Sequence, residues 1–259
     1  MIRHAMTIQP GTGSSAASGR ADGRRPTAGE VIADLAQPIV LWQRAAELYQ
    51  ALSAAQTWGG KGRLGPAATS YYVRFLRLGI PSARVGGELL REHAIDLAYA
   101  AIRELLDVDI RCHYLLIAPE DVALWQRPGD VSGAIDLPSI RTMLSRVKRA
   151  ARFLTDEELP DPAHWDLVDQ RRSELEAGAF LYPITATGLG SEAGRERELL
   201  MRGFRDGLAA LTEILTMVAR DGWCRPDVVP AIVQLLEDHQ AWGIRMQKGE
   251  FTELFVAGR

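Results

Sequence analysis

The strongest constraint on this chain is the recurrence of apolar residues at three- and four-residue spacing through most of its length. That period lays an apolar stripe along an α-helix, and a stripe must be buried against another element. Leu41, Ala45, Leu48, Leu52 and Ala55 make one stripe, on a helix from about Ile39. Leu90, Ala94, Leu97, Ala101 and Leu105 make a second, on a helix predicted from about Ser82 to Asp107. Ile140, Leu144, Val147, Ala151 and Leu154 make a third within Ser139–Leu154. Leu200, Phe204, Leu208, Leu211, Leu215 and Val218 make a fourth, capped by Ser191 and running to about Arg220. The expected fold is mainly α, a bundle-like body of several helices.

Capping and breaking residues divide these stretches. Thr27-Ala-Gly-Glu30 reads as a capping box that begins the ordered chain. Pro38 is expected to end or kink the first short helix. A glycine-rich loop, Trp58 to Pro66, precedes a helix predicted over Ala67–Leu78, with Gly79 and Pro81 as its stop. Asp161-Pro162 supplies an N-cap and a first-turn proline, and Gly178 a stop. Asp227 opens a last helix through Trp242. Three short runs suit strands: Ile110–Ala118, Phe180–Thr187 and Phe251–Ala257, the last also readable as a docking tail. They leave an α-rich α+β fold open.

Residues 1–26 are rich in Gly, Ser, Ala and Arg and poor in large apolar side chains, so a disordered tail is expected there. Residues 27–259 are expected to form the folded body, with the change of pattern near 108–138 as the place for any subdivision. Hydrophobic residues make up 47% and charged residues 24%, enough for a sizeable core. A net charge of −3 argues against a wholly basic nucleic-acid coat, so basic character must be local. Arg3 and His4 are followed by no apolar run, and no stretch reaches the roughly 18 apolar residues of a membrane helix. Two cysteines, Cys112 and Cys224, permit at most one disulfide. Reduced thiols in a cytoplasmic protein are the plain expectation.

Two clusters of cations are candidates for binding. Lys61 and Arg63 lie among glycines whose backbone amides could converge on an anion. Arg74 and Arg77 follow on the next helix, with Trp58, Tyr71 and Tyr72 available for stacking. No Ser or Thr follows the lysine as a Walker A loop requires. The second cluster is on one helix. Arg141, Lys148 and Arg152 line one flank of the third stripe, Arg149 points away from it, and Arg146 takes the other flank. Arg141 to Arg152 spans about 16 Å, enough to meet several phosphates. For both clusters a solvated surface is the simpler explanation.

Other constellations carry less. Glu88, Glu92 and Asp96 recur every four residues, but no Glu-x-x-His spacing accompanies His93, and neither metal nor cofactor is expected. Gly188 to Gly194 precedes a long helix, and Ser191 as a simple N-cap accounts for it. No Gly-x-Ser-x-Gly elbow exists, and Cys112 and His113 on a strand would face opposite ways. The chain therefore reads as a non-catalytic binding or assembly protein. It would use arginine-rich helix faces to contact nucleic acid, an acidic protein or a second copy of itself. The alternative is an enzyme with a pocket near His113 and the 188–194 loop.

Overall fold

The computed structural model describes residues 28–54, 64–125, 137–155, 159–185, 192–220 and 224–247. Among them the apolar stripes wind into eight α-helices and one 3-10 turn, Pro119–Asp121, with no strand. The helices are α1 (Ala28–Ala54), α2 (Pro66–Arg91), α3 (Ile95–Ile117), α4 (Val122–Trp125), α5 (Ile140–Ala150), α6 (Pro162–Thr185), α7 (Glu192–Arg220) and α8 (Val229–Gln247). The proposed tail, residues 1–26, and the third strand, Phe251–Ala257, lie outside the described residues.

α3 is the central element. It packs on α2, α5, α6 and α7, while α1 packs on α2, α7 and α8. From Leu105 to Leu115 every residue of α3 except Arg111 is buried. This explains why Ile110–Ala118 is helix and not strand. A helix surrounded by others is apolar all round, and a short apolar run cannot reveal its period. Phe180–Thr185 is likewise helical, as the last turns of α6. The α+β alternative fails on both.

Several breakers predicted from sequence do not break. α1 runs continuously through Pro38 and α2 through Pro81. Gly79 and Gly178 are close-packing positions inside helices. A Cβ on Gly79 would lie 2.5 Å from the Tyr49 hydroxyl, and one on Gly178 2.7 Å from the Tyr99 ring. The real break comes at Glu92-His93-Ala94. The amide of Ala94 donates to Leu89 O (2.8 Å) and that of His93 to Leu90 O (3.1 Å), with His93 at φ 62°. These two bonds form a Schellman cap with His93 in the left-handed position. The cap resets the helical phase, so α3 buries Ile95, Ala98, Tyr99, Ile102 and Leu105 and leaves Leu97 58% exposed. Leu97 was expected on the buried stripe. The break also dissolves the Glu88–Glu92–Asp96 face, because Glu88 and Asp96 belong to different helices.

Other expectations hold. Asp161 caps α6 by accepting from the His164 amide at 2.8 Å, and Ser139 caps α5 through Thr142 N. Leu200, Phe204, Leu208, Leu211, Leu215 and Val218 are all buried on α7. One contiguous core runs from Leu41 to Trp242.

Candidate functional site

α5 is strongly two-sided. Met143, Leu144 and Val147 are buried against α3 and α6, which leaves Arg141, Ser145 and Arg149 on the exposed side. Arg152 follows in the turn after α5 and is exposed as well. Across the gap, Asp166, Asp169 and Ser173 recur at three- and four-residue spacing on α6. Arg141, Leu144, Ser145, Lys148, Arg149, Arg152, Asp169 and Ser173 line one open cleft of about 560 Å³. Arg141, Lys148, Arg149 and Arg152 therefore share a single wall, which Arg146 does not line.

Their electrostatics differ. Lys148 Nζ lies 2.9 Å from Asp166 Oδ1 and 2.8 Å from Asp169 Oδ2. The hydrogen bonds it donates to these two carboxylates hold its ammonium above the ordinary lysine range. Lys148 thus ties α5 to α6 and spends its charge inside the protein. Arg141, Arg149 and Arg152 have no carboxylate partner among the described residues. Arg146, on the opposite flank, bonds the Tyr114 hydroxyl at 2.7 Å and pairs with Asp121. Its guanidinium also stands 5.8 Å from the centroid of the Tyr114 ring. Arg146 therefore belongs to the packing of α5 on α3.

The other predicted cluster is described only in part. Lys61, Arg63 and Trp58 lie outside the described residues. Arg74 and Arg77 are exposed on α2 and do not line the α5 cleft. Tyr71 and Tyr72, expected to be available for stacking on a ligand, are core residues at 7% and 0% exposure. Tyr71 meets Trp125 edge-on at 5.2 Å.

His113 is also sealed. Its side chain is fully buried, edge-on to Trp165 at 4.8 Å. Its Nδ1 lies 3.1 Å from both the backbone oxygen and Oδ1 of Asp109. Being on α3, it packs among neighbouring helices and is fully buried. The 188–190 part of the glycine loop lies outside the described residues. Around it the core holds further ion pairs. Arg172 Nε donates to Asp107 at 2.6 Å, and buried Asp206 accepts from Arg205 at 2.9 Å with Arg171 at 3.7 Å. The Arg172–Asp107 pair ties α6 to α3, and Arg171 sets α6 beside the buried carboxylate of Asp206 on α7. Cys112 and Cys224 are both free thiols. Among the described residues no three metal-capable side chains converge, and no helix is long and apolar enough to cross a membrane.

Sequence reasoning missed Ser145, Asp169 and Ser173. Ser145 falls between Arg141 and Arg149 on the same helical face, which the period could have shown. Asp169 and Ser173 join the cleft only because α6 packs beside α5. Phe153, one residue beyond Arg152, is 84% exposed at the end of the basic stripe. Compared with protein-family models, curated proteins and solved structures, the chain matches none.

Proposed function

We propose that this protein binds nucleic acid along the α5 cleft as a non-catalytic binding or assembly factor. The observation that carries the reading is the shared wall of Arg141, Arg149 and Arg152, three guanidiniums without an internal carboxylate partner among the described residues. Guanidinium forks suit phosphate oxygens, and Ser145 and Ser173 add hydroxyl donors of the kind that phosphates accept. The stripe is about 16 Å long, which matches a polymer better than a single small anion. Asp169 opposes indiscriminate anion capture from the far wall while holding Lys148 in place. The two free thiols suit the cytoplasmic setting expected from the sequence.

The test is oligonucleotide binding across a salt series, with wild type and the triple variant Arg141→Glu, Arg149→Glu, Arg152→Glu. Three phosphate contacts give a slope of log K against log salt of about −2 on single strands and about −3 on duplex. The triple variant should lose binding and keep its helical circular-dichroism spectrum and melting temperature. Unchanged binding in the triple variant would overturn the proposal, as would a wild type that retains no oligonucleotide at low salt.

A further inference from the structure

We infer that the strand taken by the α5 cleft is single, with an unpaired base seated on Phe153; this rests on the nucleic-acid reading above. Phe153 is the most exposed of the large apolar side chains described, at 84%, although α5 turns its other apolar residues inward. Val147 and Ala151 before it are buried at 0% and 5%, and Leu154 after it is 37% exposed. The chain could bury Phe153 only by rotating this turn, and two backbone bonds fix it: Phe153 N to Ala150 O at 2.9 Å and Leu154 N to Ala150 O at 3.1 Å. The ring is thus presented to solvent by a held backbone.

Its position decides the ligand. Phe153 follows Arg152 directly in the turn after α5, beside the cleft and not among the residues that line it. Cations that track a backbone, followed by an exposed aromatic face, are the two parts of a single-strand platform. A base inside a duplex has both faces covered by its neighbours, so it cannot stack on the ring without being extruded. An unpaired base has a free face at no such cost. An acidic protein would also use the arginines, and the poly-glutamate competition below separates it from a strand.

The experiment is fluorescence anisotropy with a labelled oligo-dT and a blunt duplex of the same length. The full-length chain is used, as wild type, Phe153→Ala, Phe153→Trp and the triple arginine variant. Wild type should prefer the single strand by about tenfold, the value of one stacked base. Phe153→Ala should lose that preference and leave duplex binding unchanged, while Phe153→Trp should keep it. Equal binding of both forms by wild type, or an equal loss of both in Phe153→Ala, would overturn the inference and leave the arginine reading standing. Binding that survives in the triple variant would overturn the nucleic-acid reading itself. Displacement of oligo-dT by poly-glutamate at equal charge would instead assign the cleft to an acidic protein and overturn both.

Discussion

Trp42 sits where α1, α2 and α7 meet, and three glycines make room for it. A Cβ on Gly86 or Gly87 would approach its ring to 2.6 or 2.5 Å, and one on Gly207 would overlap the six-membered ring. The indole cannot swing aside, because its Nε1 donates to Ala83 O at 2.8 Å and its ring meets Phe204 edge-on. Gly207→Ala should therefore cost about 1–3 kcal/mol or more through overpacking. A melting temperature lowered by several degrees in scanning calorimetry is the expected readout. Gly243→Ala is the control: nothing lies within 4 Å, so the helix should gain about 0.5–1 kcal/mol.

His239 offers a second residue-level test. Burial, then the nearby Arg171 charge, pulls its ring down from 6.5 to about 4. The unfolded chain takes up a proton near 6.5 that the folded chain refuses until about 4. Stability must then fall as pH drops through that window, by about 3 kcal/mol in all. His113 acts elsewhere. Burial alone would lower its ring, but the charge and hydrogen bond of Asp109, with Glu213, raise it on balance. Its contribution is present below 6.5 and fades only as pH rises through the raised value. Urea midpoints between pH 4 and 7 should slope upward with pH in wild type and flatten in His239→Gln.

At the scale of elements, the α2–α3 joint rests on one residue in a conformation that most side chains avoid. His93 at φ 62° completes the cap and reaches across to Glu196 on α7 at 3.0 Å. Its contact is half-exposed and contributes little, so the backbone is what the joint needs. His93→Gly should stay within about 1 kcal/mol of wild type, whereas His93→Val should lose about 2 kcal/mol, because a β-branched side chain fits the left-handed region poorly. A urea midpoint for His93→Val equal to that of wild type would refute this account of the joint. The same joint shows why sequence placed the break at Gly79-Pro81. Glycine and proline are the usual punctuation, and a histidine in a left-handed cap carries no such mark. The glycines that looked like stops, Gly79 and Gly178, let Tyr49 approach α2 and Tyr99 approach α6, a need set by a neighbouring helix.

For the whole molecule, the helical class, the capped starts of α5 and α6, and the full buried face of α7 were legible in the residues. So was the grouping of Arg141, Lys148, Arg149 and Arg152, because one short segment, α5 and the turn after it, carries them all. What the period could not say is which of these charges is already spent. Lys148 and Arg149 are neighbours in sequence, yet one is clamped by α6 and the other is not. On the nucleic-acid proposal that difference leaves about three phosphate contacts, so the salt slope tests the packing of α5 on α6 as much as the function.

The sequence by itself determined that apolar stripes at helical spacing must pair, and where several of those helices begin. Both follow from local chemistry: side-chain period and orphan amides at helix starts. Tertiary structure alone decided that α3 lies at the centre, that His113 is sealed and that the basic wall of α5 faces Asp169 and Ser173. Those outcomes depend on which helix packs beside which. Residues far apart in the chain settle that by fitting one another's surfaces, as the Trp42 ring fits the glycines of α2 and α7.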